Sequence, residues 1–280
     1  MHSERLSKFG ARVVTLALLS SFLCFAQQSG SAPNAVIGRL AGTWKENEAK
    51  GKLGSQGLRF RRNAKGDLEE LRGAEARPLV QLVRFNVPAY VIDGNSSITW
   101  KQIDPSHFER QIFENGKLIA TRKIQISTDG KTLSEATERT RTDGKAGVTT
   151  VTYTRLSGDA QGLVGVWKPR SYHSTAPAQV KYEAAGAGQL KVSDDLGVTY
   201  TMALDGKAVA VTGTSVISGT MIAGKQIDAN TLEETRSREG VLTGRSITVV
   251  SSDGKVATVT STNLGPNASA EPSIQVFERQ

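Results

Sequence analysis

At 280 residues the chain has room for one large domain or two small ones. Charged residues make up 22% and apolar ones 38%, which excludes a disordered chain, and 28 glycines without a fixed period exclude a collagen-like one. The formal net charge of +8 suits anionic surfaces, yet no nucleic-acid-binding motif accompanies it.

The N-terminus carries the pattern of an export signal at residues 1–26. Arg5, Lys8 and Arg12 form a positive region, Val13 to Ala26 an apolar run, and a polar, flexible tail extends from Gln27 to residue 35. The run is shorter than the roughly 20 residues that cross a bilayer. Cleavage after Ala26 is therefore expected, giving an exported protein, periplasmic or secreted, with no transmembrane segment. Leu23 stands where a lipidation signal wants a small residue, which argues against lipid attachment at Cys24. That cysteine is the only one in the chain, so no disulfide supports the mature protein.

The remainder is duplicated. Leu40-Ala41-Gly42-Thr43-Trp44-Lys45 recurs as Leu163-Val164-Gly165-Val166-Trp167-Lys168, and Lys101-Gln102-Ile103-Asp104 recurs as Lys225-Gln226-Ile227-Asp228. Asp129-Gly130-Lys131 recurs as Asp253-Gly254-Lys255, and Tyr153-Thr154-Arg155 answers to Phe277-Glu278-Arg279. From Ile98 to Leu156, 14 of 59 positions match at a displacement of 124, well beyond what unrelated segments share. The repeats run from 36 to 156 and from 163 to 280, joined by the polar linker 157–162, too short to let two modules drift apart.

Within each repeat, short runs rich in Val, Ile and Thr alternate with turn dipeptides, and no segment has a sustained helical period. Arg59 and Arg61 fall on one face of such a run and Leu58 and Phe60 on the other, so this basic patch reads as a solvated outer face. Leu118, Ala120, Ile124 and Ile126 share a face, as do Thr149, Val151, Tyr153 and Arg155. Asn115-Gly116 reads as a type I′ hairpin, and pairing outward from it sets Phe113 opposite Leu118 and Glu109 opposite Arg122. Asp129-Gly130, Asp143-Gly144, Asp205-Gly206 and Asp253-Gly254 read similarly. About eight strands per repeat with short connections predict an all-β fold of two tandem antiparallel up-and-down barrels, whose closure removes exposed edges.

Gly42 and Trp44, with Arg155 ending the last strand of the same repeat, resemble the marks of the lipocalin-like (calycin) superfamily. Gly165, Trp167 and Arg279 repeat the pattern. The resemblance implies that the arginine packs across the indole and latches the first strand to the last, Trp44 to Arg155 and Trp167 to Arg279. It also implies a small barrel able to hold an apolar or amphipathic ligand. The chain departs from typical secreted lipocalins in its shorter modules, its missing cysteines and the lack of a clear C-terminal helix, and fits a branch of exported bacterial proteins.

Residues that would carry other chemistry are scarce. His107 and His173 are the only histidines after the signal, occupy non-equivalent positions and read as surface residues, so neither a metal site nor a haem ligand is expected. There is no Gly-x-Ser-x-Gly elbow and no phosphate-cradling loop. Glu69-Glu70, Asp194-Asp195 and Glu233-Glu234 are neighbours on strands and point to opposite faces, which makes no acid–base pair. Asn95-Ser96-Ser97 and Asn267-Ala268-Ser269 match the N-glycosylation pattern. The leading expectation is an exported, non-enzymatic binding protein without a cofactor, holding a small apolar or amphipathic ligand in its barrels. The alternative is an envelope or interaction protein with filled barrels and an unidentified protein or polysaccharide partner at its outer faces. An enzyme would need a convergent polar set inside a barrel, for which no residues stand out.

Overall fold

A computed structural model describes residues 34–72, 79–93, 95–186, 188–213, 216–265, 268 and 271–280. The export signal at 1–26, the tail as far as residue 33, and Asn267 and Ser269 of the second glycosylation pattern lie outside these residues. Asn34 and Ala35, expected in the tail, instead open helix α1, Ala35–Leu40, which buries Val36, Ile37 and Leu40. No helix among the described residues is long and apolar enough to cross a membrane.

Each repeat contributes ten strands. The first supplies β1 Gly42–Glu46, β2 Leu58–Arg62, β3 Leu68–Arg72, β4 Leu79–Val83, β5 Tyr90–Asp93, β6 Ser96–Gln102, β7 His107–Glu114, β8 Lys117–Ile126, β9 Thr132–Thr140 and β10 Ala146–Ser157. The second supplies β11 Gly165–Ser174, β12 Gln179–Ala184, β13 Gln189–Asp194, β14 Thr199–Ala203 and β15 Asp205–Ala210. It continues with β16 Thr220–Gln226, β17 Thr231–Arg238, β18 Val241–Val250, β19 Val256–Asn263 and β20 Ser273–Arg279. The strand count exceeds the expected eight because short strands such as β14 and β15, parted only by Leu204, read as one in the sequence.

These strands build two ten-stranded antiparallel sheets, each curled into a barrel or half-barrel. Membership does not follow the repeat boundaries 36–156 and 163–280. β1 leaves its own repeat and lies between β12 and β20. β11 reciprocates, lying between β2 and β10. The first barrel is therefore β2 to β11, and the second is β1 with β12 to β20. The short linker is the physical reason for half of the exchange: a chain leaving β10 turns within a few residues and pairs with the strand it has just made. At the seam of the second barrel Thr199 and Thr212 exchange both backbone hydrogen bonds, 2.8 and 2.9 Å long. In the first barrel the Asn86 N–H donates to the Trp100 carbonyl at 2.7 Å.

Alternation fills the interiors. In the first barrel Phe60, Ile98, Phe108, Ile124, Leu133 and Trp167 are buried, and in the second Trp44, Leu190, Met202, Leu232, Val250 and Phe277. Asn115 and Gly116 both adopt positive φ, 50° and 76°, as a type I′ turn requires. At Asp129-Gly130, Asp143-Gly144, Asp205-Gly206 and Asp253-Gly254 only the glycine does, and each aspartate side chain accepts the N–H two residues on. A bulge between Ile112 and Phe113 shifts the register beyond the turn. Phe113 still meets Leu118, but Glu109 faces Lys123 rather than Arg122, and Arg110 faces Arg122 inside the barrel. Leu118, placed on the apolar face in the sequence reading, is 46% exposed for the same reason.

The exchange makes a prediction about excised chains. Residues 52–178 carry every strand of the first barrel, including β11, and should unfold cooperatively in urea as a monomer. A chain that melts without cooperativity would show that this barrel depends on its neighbour.

Candidate functional site

The six residues marked by the lipocalin-like pattern form two latches, and the exchange crosses them. The Arg155 guanidinium lies 3.9 Å from the centre of the Trp167 ring, and that of Arg279 lies 4.3 Å from Trp44. The expected pairs, Trp44 with Arg155 and Trp167 with Arg279, are thus corrected, because each tryptophan travels with a strand that closes the other repeat's barrel. Both indoles are fully buried. The Trp44 Nε1–H donates to the Leu40 carbonyl at 2.7 Å and the Trp167 Nε1–H to Leu163 at 2.9 Å. Arg155 donates from Nε to Gly130, from Nη1 to Val164 and from Nη2 to Gly162. Arg279 repeats this with the carbonyls of Gly254, Ala41 and Arg39. Gly42 and Gly165 have φ of 135° and 143°, and a Cβ on Gly42 would stand 2.7 Å from Arg279 Nη1. The glycine thus makes room for the guanidinium. These residues hold the barrels shut and do not line the cavity described below.

The interiors differ one layer deeper. Strand registers place Trp100, Arg110, Arg122 and Thr137 side by side across β6 to β9 of the first barrel. The equivalent row in the second barrel, across β16 to β19, is Gly224, Glu234, Ser246 and Ser261. In the first barrel Trp100 is buried, with Phe60 and Phe85 edge-on at 6.2 Å and the Arg110 guanidinium 5.3 Å from its ring. Arg110 also contacts Glu70 at 3.1 Å and Arg122 contacts Glu135 at 3.0 Å, so the row is plugged by large, mutually neutralising side chains.

In the second barrel the same row is small, and a cavity of about 440 Å³ opens above it. That volume lies in the range of sites that enclose a small molecule. Leu190, Met202 and Leu232, all fully buried, lie two residues along their strands from the lining residues Val192, Tyr200 and Glu234 and form the floor layer beneath them. Tyr182, Tyr200, Glu234 and Ser246 lie just above the floor. Val180, Val198, Val211 and Ile217 form an apolar collar, with Asp194 and Arg236 on the upper wall. Arg139, at the end of β9 in the first barrel, reaches the rim, and Arg141 beside it forms a 2.5 Å ion pair with Asp195. The mouth therefore abuts the neighbouring barrel.

The deep end is polar. The Tyr200 hydroxyl donates to Glu234 Oε1 at 2.7 Å. Burial raises the Glu234 carboxyl above its ordinary range, outweighing the Tyr200 hydrogen bond and the charge of Arg236. Burial likewise raises Asp194, against the N–H groups of Val198 and Leu196. Tyr200 is raised well above its ordinary value by burial first and by the charge of Glu234 second. Tyr182 is 8% exposed, faces the cavity, and its hydroxyl meets no hydrogen-bond partner among the described residues.

Elsewhere the sequence reading placed its residues on the surface. His107 contacts Asp104 at 2.8 Å and His173 contacts Glu48 at 3.1 Å, both histidines well exposed. No group of metal-ligating side chains occurs among the described residues. Glu69 and Glu233 point outward to Arg61 and Arg245, while Glu70 and Glu234 point inward. Opposite faces were expected. What the sequence reading missed is that the inward member of each pair lies in a barrel, and the mismatch of Trp100, Arg110 and Arg122 with Gly224, Glu234 and Ser246 was the signal available.

No family model matches the chain, and no curated protein matches it. Among solved structures it is similar to a protein of unknown function of the DUF3598 family from Nostoc punctiforme. The identity is 10% over 89% of this chain and 99% of that one, with a TM-score of 0.27.

Two predictions follow from these interiors. Trp100→Ala should destabilise the protein by about 3–5 kcal/mol, through lost burial and the void left beneath Arg110, as measured by urea denaturation. Glu234 binds its proton more tightly folded than unfolded, so its contribution is fully present below the ordinary value of 4.5 and is lost as pH rises through its raised folded value. Glu234→Gln should therefore gain stability relative to the wild type as pH climbs above 4.5, and a constant difference between the two from pH 4 to 8 would contradict the raised value.

Proposed function

We propose that this protein is an exported, non-enzymatic carrier of a small apolar or amphipathic molecule, built on lipocalin-like barrels and holding its ligand in the second barrel alone. The observation that carries the reading is the cavity of about 440 Å³ above the row Gly224, Glu234, Ser246 and Ser261. Apolar collars with a few convergent polar groups are the usual form of small-molecule sites. Small barrels can be filled by their own side chains or kept hollow for a ligand, and among the described residues the first barrel's interior row is filled where the second borders a cavity. The N-terminal export pattern and the Gly-x-Trp and arginine marks support the same reading. The plugged first barrel then acts as a scaffold that holds the mouth of the second.

Titration of the mature chain with N-phenyl-1-naphthylamine, a neutral apolar fluorophore, tests this. One saturable site is expected. Ser246→Arg installs the bulky residue that the first barrel carries at the equivalent position, within reach of Glu234. It should weaken binding at least tenfold while leaving the melting temperature within a few degrees. Binding that never saturates, or that the variant leaves intact, would overturn the carrier reading.

A further inference from the structure

The polar groups at the bottom of the cavity define what a ligand must bring to it, and this inference rests on the carrier reading. Glu234 lies along β17 between Leu232, fully buried, and Arg236, exposed, so its carboxyl sits deeper in the barrel than the Arg236 guanidinium. Tyr200 already uses its proton on Glu234 Oε1. Tyr182, more than nine-tenths buried, offers a hydroxyl that can donate and accept and that finds neither partner among the described residues. A ligand hydroxyl that reaches the Tyr182 oxygen from the cavity would supply that partner.

Three kinds of head group can be weighed against this set. A carboxylate would carry its charge out of water, while the cations that could neutralise it, Arg236 and Arg139, are exposed residues of the cavity lining in contact with water. An ammonium would require Glu234 to ionise, against its burial. A hydroxyl transfers no charge. It can donate to the carboxyl oxygen of Glu234 and accept from Tyr182 in the same pose, while the collar of Val180, Val198 and Val211 covers an aliphatic body. We propose that the second barrel takes a neutral aliphatic alcohol, hydroxyl end first, with Tyr182 and Glu234 as its two hydrogen-bonding partners.

Isothermal titration of the mature chain at pH 7 with decan-1-ol, decanoate and decylamine tests this, since the three differ in the head group alone. Decan-1-ol should bind one-to-one and at least tenfold more tightly than either ion. Tyr182→Phe, which keeps the ring, should weaken decan-1-ol by about three- to tenfold, the worth of one neutral hydrogen bond. Glu234→Leu is a second variant, similar in volume, and should weaken decan-1-ol by a similar factor. Equal or tighter binding of decanoate or decylamine sinks the head-group assignment, as does decan-1-ol binding that neither variant alters; in both cases the carrier reading survives. If none of the three chains nor the fluorophore binds, both readings fall together.

Discussion

The architecture depends on a guanidinium lying flat on a buried indole, twice, with each pair drawn from strands that close a barrel. Each arginine also caps three backbone carbonyls, so much of its charge is solvated by the protein itself. The stacking contributes about 0.5–2 kcal/mol, and losing the cap would orphan carbonyls that have no other donor. Crossing the latches alters chain entropy as well. Pairing Arg155 with Trp167 closes 12 residues instead of 111, and pairing Arg279 with Trp44 closes 235 instead of 112. Because closure cost grows with the logarithm of length, the exchanged arrangement is favoured by about 1 kcal/mol. Neither barrel can close without a strand from the other repeat, so neither repeat closes a barrel by itself.

That interdependence allows the copies to diverge inside. The residues the repeats share lie at turns and latches, as in Asp129-Gly130-Lys131 and Asp253-Gly254-Lys255, where backbone geometry dictates the side chain. The residues that differ lie in the interior row. Trp100 with Arg110 and Arg122 fills this row in the first barrel, while in the second a cavity opens beside Glu234 and Ser246. Gly224 is small for a local reason as well, since a Cβ there would stand 2.6 Å from the Met202 sulfur. The first barrel also borders the cavity mouth, to which Arg139 and the Arg141–Asp195 pair contribute residues from both barrels.

Much of this was legible in the residues. Period-two alternation announced strands, Asn115-Gly116 announced its turn, and the recurring Gly-x-Trp announced both the duplication and the latch. Pairing was not legible, because Trp44 and Trp167 are chemically identical partners and only the short linker 157–162 distinguishes their positions. The bulge at Ile112 was equally hidden, so Arg110 and Arg122 could not be placed inside. The cavity was half legible. Lining the two repeats up at 124 residues sets Trp100 on Gly224, but a volume difference reveals a cavity only once both positions are known to face inward.

A double-mutant cycle tests the crossed latch most directly. Arg155→Met and Trp167→Phe, singly and together, should show a coupling of about 0.5–2 kcal/mol in urea denaturation. Arg155→Met with Trp44→Phe should be additive to within about 0.5 kcal/mol. Coupling of Arg155 to Trp44 with none to Trp167 would mean that each repeat closes on itself, and the exchanged architecture would not stand.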